Sequence, residues 1–164
     1  MWENSLIIER IKDQKNLILV LLLYLFLAII LFSRYKYTID TDGIAYISIA
    51  KHYLNGHISY AINGYWSPLY SWLLMPFISL WPGNTGNVMV MKVLAVILGL
   101  FTLNAVNLIL GKLDFGIRQK TVILLALIPF MLYVTFSVVT PDLLVTCILL
   151  YYFSFLIDEK YRKL

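Results

Sequence analysis

The sequence predicts an all-α fold, a polytopic membrane helical bundle in a single transmembrane domain covering residues 1–164. Three observations support this prediction. Apolar residues make up 61% of the chain and charged residues 13%, whereas soluble proteins average about 45–50% and 25%. Several apolar stretches approach the roughly 17–25 residues that cross a bilayer. Lysine and arginine residues cluster between these stretches, as they do in membrane proteins.

The first predicted span covers residues 16–32, which contain no charged residue and are rich in Leu and Ile. A signal peptide is the alternative, because basic residues precede this stretch. However, no small-x-small cleavage site follows Phe32, and the basic residues Arg34 and Lys36 come instead. A cleaved signal peptide ends in such a site. An uncleaved membrane anchor is therefore the preferred interpretation.

Further spans are predicted at 88–110, 121–139 and 142–157, the last near the short limit for crossing a bilayer. The segment 68–81 is ambiguous, because it is apolar but short and contains Pro76. It could cross the membrane or lie in the interface as a helix.

The basic residues favour an interfacial helix at 68–81. Lysine and arginine in short loops are retained on the cytoplasmic side, and only the non-crossing alternative places all three basic clusters there. The clusters are Arg10, Lys12 and Lys15, then Lys112, Arg118 and Lys120, then Lys160, Arg162 and Lys163. We therefore predict a plasma-membrane protein with four spans and both termini cytoplasmic. The net charge of +4 is read as an orientation signal, and no nucleic-acid partner is expected.

The predicted topology leaves an external loop at 33–87 and a tight external turn at Thr140-Pro141. In the loop, apolar residues recur at helical spacing from Tyr46 to Tyr53, and Asn55-Gly56 is a typical helix stop. This pattern predicts an amphipathic helix over 43–55. A helix with one apolar face beside a bilayer lies flat in the interface. Tyr and Trp residues, which concentrate at the headgroup level, continue through the loop.

Two aspartates fall on the external face in this topology. Asp42 opens the predicted helix 43–55, and Asp142 follows Pro141 at the start of the last span. Each has a purely structural alternative. Asp42 could be a helix N-cap, worth about 1 kcal/mol, and Asp142 could complement a helix dipole, worth about 0.3–1 kcal/mol. Because a carboxylate in lipid is costly, both should face protein or water, which leaves a functional role open.

No metal-ligand set is predicted from the residues themselves. His52 and His57 are five positions apart and would not share a helix face, so a metal pair is not expected. Asp40 and Asp42 form a D-x-D pattern, but so short a pattern is common by chance. No cofactor is predicted, and a divalent cation is left as an alternative.

The order of these features resembles a known family. An aspartate opens an amphipathic helix in Asp42-Gly43-Ile44-Ala45-Tyr46, an aromatic stretch leads into Trp66-Ser67-Pro68-Leu69-Tyr70, and Thr140-Pro141-Asp142 follows two spans. This arrangement resembles the N-terminal part of the GT-C superfamily of polyprenyl-phosphate-sugar-dependent glycosyltransferases. The nearest branch is that of the protein O-mannosyltransferases and lipid A aminoarabinose transferases.

The resemblance implies transfer of a sugar from a polyprenyl-phosphate donor to an acceptor at the extracytoplasmic face, with inversion at the anomeric carbon. Asp42 would be the general base and Asp142 would orient the acceptor or a cation. Lys51, His52 and Arg34 are the candidate partners of the leaving phosphate, with Lys51 first. The remaining expected substrate-binding residues are Asp40, Tyr46, Trp66 and Tyr70.

The chain also departs from the family. Gly43 follows Asp42 where members often carry a second acid, which weakens any metal role. Family members are far longer, so a fragment, or a partner polypeptide carrying the later spans, is implied. The expected partners are a polyprenyl-phosphate-sugar donor, membrane lipids and this C-terminal polypeptide. The second hypothesis is a small non-catalytic membrane protein, such as a helper subunit or a component of a lipid-carrier flippase.

Overall fold

The computed structural model describes the backbone of residues 2–81, 83–137 and 141–162, and within these ranges the side chains of 9–157. The described residues are helical and contain no strand, which confirms the predicted fold class. In chain order the helices are α1 (Trp2–Tyr35), α2 (Thr41–Leu54), α3 (Ile58–Ala61), α4 (Pro68–Leu80), α5 (Asn84–Lys112), α6 (Ile117–Ser137) and α7 (Asp142–Arg162).

Three helical segments are long and apolar enough to cross a membrane: Glu9–Tyr35, Asn84–Lys112 and Ile117–Ser137. Two shorter apolar helical segments, Pro68–Leu80 and Asp142–Ile157, accompany them. A protein with three such helices is an integral membrane protein by length and composition. The predicted span 121–139 extends past Ser137 into residues outside the described part of the chain. Thr140 of the predicted external turn also lies outside it.

One end of the bundle joins the four long helices through basic side chains. The Lys120 ammonium at the start of α6 forms an ion pair with the Asp13 carboxylate in the first half of α1. The Lys112 Nζ at the end of α5 donates a 2.7 Å hydrogen bond to the main-chain oxygen of Ser154 in α7. We refer to this region, marked by Asp13, Lys112 and Lys120, as the basic end.

The opposite end, which we call the site end, is marked by Thr38, Lys92 and Phe136. The main-chain oxygen of Phe136 near the end of α6 accepts a 2.6 Å hydrogen bond from Lys92 Nζ in α5. Thr38 Oγ1, just after α1, lies 3.5 Å from the same oxygen. Helices α1 and α6 therefore run parallel, and α5 and α7 run antiparallel to them. After α1 the chain passes through α2, α3 and α4, and α5 then begins at the end where α1 stops.

Small and polar residues bring α1, α5 and α6 together inside the bundle. Tyr24 of α1 is fully buried, and its hydroxyl lies 2.9 Å from Thr135 Oγ1 of α6. Gly99 of α5 packs against the same ring, where a Cβ would come within 2.7 Å of Tyr24 Cζ. Close approach at small residues, together with interhelical hydrogen bonds, is typical of helices packed in membranes.

The outward side of α1 is apolar and uncovered. Its buried residues Val20, Tyr24 and Ala28 recur every four positions and form one stripe facing the bundle. Leu19 and Ile29 on the other side are 64% and 63% exposed, respectively. In water such a surface would be unfavourable, whereas lipid tails solvate it.

Candidate functional site

Helix α2 begins two residues earlier than the sequence pattern predicts. Its N-cap is Asp40, whose Oδ1 accepts a 2.7 Å hydrogen bond from the Gly43 amide. The structural alternative that made Asp42 the cap is therefore wrong, because that role belongs to Asp40. Asp42 lies in the first turn of α2 and its side chain is exposed. This leaves the Asp42 carboxylate available at the surface.

Tyr46 anchors α2 and α4 to each other. It is only 4% exposed, and its ring packs edge-on against Trp66 and Tyr70, with centroids 5.1 and 5.3 Å away. The main-chain oxygen of Tyr46 also accepts a 3.1 Å hydrogen bond from Ser71 Oγ of α4. The three predicted aromatic substrate-binding residues therefore form one packed cluster. Of these, Tyr46 and Tyr70 are buried, and Trp66 is half-buried.

Both candidate catalytic aspartates act on the Tyr46 phenol. Burial raises the pKa of Tyr46, and the negative charges of Asp142 and Asp42 raise it further. Both carboxylates are therefore within electrostatic range of this hydroxyl. Asp142 is the first residue of α7, and its side chain is exposed like that of Asp42. The structure thus brings two residues 100 positions apart in sequence to the site end.

The candidate phosphate partners are distributed differently. Lys51 Nζ donates a 2.9 Å hydrogen bond to Asn84 Oδ1, which ties α2 to the start of α5. His52 stacks on Tyr60 with ring centroids 5.7 Å apart. Arg34 is exposed in the last turn of α1. The contacts of Lys51 and His52 are made with residues outside the Tyr46 cluster, and the structure shows no contact that joins the three candidate side chains to one another among the described residues.

The two histidines lie closer together than their spacing predicts. The rings of His52 and His57 are 6.2 Å apart, because α2 ends at Leu54 and the chain turns back into α3. Within the described part of the chain, however, no group of three or more His, Cys, Asp or Glu residues is arranged to hold a metal ion.

Lys92 is the polar residue that the sequence argument missed. It lies within the predicted span 88–110, yet its side chain is only 1% exposed and points its ammonium at the Phe136 carbonyl. Lys92 and Asp40 line the same cavity of about 220 Å³ at the site end. The available signal was a lysine inside an apolar span, since ionisable residues in membrane helices are rare and face protein or water.

Asp40 connects this cavity to the aromatic cluster. Burial raises the pKa of the Tyr70 phenol, and the charge of Asp40 raises it further, followed by Tyr46. Asp40 therefore both lines the Lys92 cavity and acts on the buried Tyr70 phenol. The first turn of α2, which carries Asp42, lies beside the cavity.

Comparison with protein-family models, with curated proteins and with solved structures gives no significant match.

Proposed function

We propose that this chain is a membrane glycosyltransferase, or part of one, that acts at the extracytoplasmic face. It transfers a sugar from a polyprenyl-phosphate donor to an acceptor hydroxyl, with inversion at the anomeric carbon. The observation that carries the proposal is that the exposed Asp42 of α2 and the exposed Asp142 of α7 both lie at the site end, where their charges act on the buried Tyr46 phenol. Two exposed carboxylates at one end of an apolar bundle give an acceptor from the aqueous phase a place to meet a lipid-linked donor.

The proposed chemistry gives each acid a separate role. Asp42 accepts the proton of the acceptor hydroxyl as its oxygen attacks the anomeric carbon. The bond from that carbon to the phosphate oxygen breaks, and polyprenyl phosphate leaves with the electron pair. Asp142 orients the acceptor. Lys51 is the first candidate to stabilise the leaving phosphate, because it lies on α2, the helix that also carries Asp42.

The membrane orientation follows from charge. The basic end gathers the N-terminal half of α1, the end of α5 and the start of α6. Since lysine and arginine in short loops remain cytoplasmic, this end is assigned to the cytoplasm and the site end to the outside of the plasma membrane. Helices α2 and α4, with the exposed rings of Tyr65 and Trp72, then lie at the outer headgroup level.

The decisive experiment compares Asp42→Asn with Asp114→Asn. Both remove one exposed carboxylate, but Asp114 lies in the loop between α5 and α6 with φ 59°, a conformation that Asn also adopts. The full chain is reconstituted with polyprenyl-phosphate sugars and acceptors, alone and with polypeptides that supply further spans. We expect Asp42→Asn to lose about 10²–10⁴-fold in transfer rate and Asp114→Asn to match the unmodified chain.

Transfer at the unmodified rate by folded Asp42→Asn would overturn the assignment of the base. If the unmodified chain transfers no sugar under any of these conditions but binds a partner or moves lipid carrier, the chain is the non-catalytic helper instead.

A further inference from the structure

The site end contains a cavity with two charged side chains that the proposed reaction does not yet use. Its volume is about 220 Å³, and Asp40 and Lys92 line it together with Tyr35, Thr38, Ile39, Phe136 and Ser137. The cavity lies where α1 ends, α2 begins and α6 ends, against the first part of α5. It is smaller than the roughly 300–1,000 Å³ of drug-sized sites, and it suits a single ring rather than a whole lipid-linked molecule.

The two charged residues in this cavity keep unused hydrogen-bonding capacity. A lysine ammonium has three N–H donors, and among the described residues Lys92 Nζ directs a hydrogen bond only to the Phe136 oxygen. A carboxylate has two oxygens, and Asp40 uses Oδ1 for the Gly43 amide. Within the part of the chain that the structure describes, donors from one side and an acceptor from the other therefore remain for a bound molecule.

The charges restrict what that molecule is. The ammonium of Lys92, which is 1% exposed, and the half-buried carboxylate of Asp40 balance each other, so an anion or cation bound between them would add an unbalanced charge beside a buried lysine. Burying an unpaired charge is expensive. A hydroxyl group carries no charge and both donates and accepts, which matches one lysine and one carboxylate.

We propose that this cavity binds the sugar ring of a lipid-linked donor, with Lys92 donating to one ring hydroxyl and Asp40 accepting from a neighbouring one. The proposal rests on the proposed function, because Asp40 lies two residues before the candidate base Asp42. Neither Lys92 nor Asp40 transfers a proton in this proposed role. Lys92 and Asp40 select and orient the uncharged ring, while the phosphate lies outside the cavity.

The test measures how strongly the full chain in lipid nanodiscs distinguishes a polyprenyl-phosphate sugar from the bare polyprenyl phosphate. The variants are Lys92→Met, which keeps the length but removes the donor, and Asp40→Asn, which retains a capping oxygen. Lys12→Met removes an exposed lysine near the basic end as the control. We expect the unmodified chain and Lys12→Met to prefer the sugar-bearing lipid by at least about tenfold, and both cavity variants to lose that preference.

An unchanged preference in both cavity variants, with far-UV dichroism and unfolding temperature preserved, would overturn the proposal. So would an equal loss of affinity for both lipids in Lys92→Met, because that result assigns Lys92 to the phosphate. If the unmodified chain binds neither lipid, the proposed function fails, and saturation-transfer NMR with methyl glycosides then tests the cavity alone. Signals that Asp40→Asn abolishes would support the sugar site, and the absence of signals would exclude it.

Discussion

The hydroxyl of Tyr24 in α1 lies 2.9 Å from Thr135 Oγ1 in α6, and Gly99 of α5 packs against the same ring. Three helices therefore meet at one buried point. Because a Cβ on Gly99 would overlap the phenol, the approach of α5 to α1 depends on glycine at this position.

Gly99→Ala should destabilise the bundle by about 1–3 kcal/mol, the usual cost of overpacking a close contact. The unfolding temperature of the protein in detergent measures this effect. Gly111→Ala is the matched control, since a Cβ there would lie 3.8 Å from Lys120 Nζ, at ordinary contact distance. Equal unfolding temperatures for the two variants would contradict the packing described for Tyr24.

Gly43→Ala should loosen the start of α2. A Cβ at this position would lie 2.8 Å from Asp40 Oδ1 and 2.9 Å from Ile39 Cγ1, so the capping carboxylate would have to move. Loss of an N-cap costs about 1 kcal/mol. Hydrogen exchange of the first amides of α2 should speed up accordingly. Gly64→Ala, where a Cβ meets nothing within 4 Å, should leave those rates unchanged.

Asp13→Asn should destabilise the protein by weakening the contact with Lys120. The Lys120 side chain is 8% exposed, so its ammonium has little water to replace the carboxylate. Weakening the ion pair of such a buried donor costs about 1–3 kcal/mol. We expect a loss at the lower end of this range, because Asp13 is 29% exposed. Denaturant unfolding measures the change. Arg118→Met, which removes an exposed charge nearby, should alter stability far less.

Alkaline pH should destabilise the interfacial cluster through Tyr46 and Tyr70. Burial raises the pKa of both phenols above the ordinary value of 10.0. The folded protein therefore keeps them neutral at pH values where the unfolded chain releases their protons. Their contribution to stability is complete below pH 10 and is lost as the pH rises toward the folded pKa, by up to about 1.4 kcal/mol per pH unit for each group.

Unfolding measured between pH 8 and pH 11 tests this dependence. Tyr70→Phe should flatten the loss above pH 10, because the phenylalanine ring has no proton to release. Tyr65→Phe is the control, since this side chain is 82% exposed. An identical pH dependence in all three proteins would refute the assignment to Tyr70.

Cysteine labelling in intact cells tests the orientation. In a Cys147→Ser background, an impermeant thiol reagent should label Thr41→Cys, at the exposed start of α2, and should not label Leu113→Cys at the basic end. The reasoning is the retention of basic clusters on the cytoplasmic side. Labelling of Leu113→Cys alone would show the opposite orientation. Labelling of both positions from outside would contradict the proposed topology.

The sequence predicted the helices well because their signals are local. Continuous apolar stretches correspond to α1, α5, α6 and α7, and the helical spacing of Tyr46, Ile49 and Ala50 marks the buried face of α2. The start of α2 was misplaced because the run from Asp40 to Gly43 offers two aspartates as caps. Only the fold shows which of them reaches the Gly43 amide.

The site was predicted less completely, because its contacts join distant segments. Tyr46, Trp66 and Tyr70 were recognisable as interfacial aromatics, but their packing into one cluster depends on how α2 meets α4. Lys92 was missed because a single charged residue hardly changes the mean hydropathy of its span. The approach of His52 to His57 was missed because spacing rules assume that the helix continues.

The Tyr46 cluster also determines how the segment from α2 to α4 can move. Its edge-on rings and the Ser71 hydrogen bond fasten α2 to α4, and Lys51 fastens α2 to the head of α5. Neither helix can swing outward alone without breaking these contacts. A movement of either helix would therefore carry the other with it, and Gly83, whose φ of 116° favours glycine, stands where α5 begins.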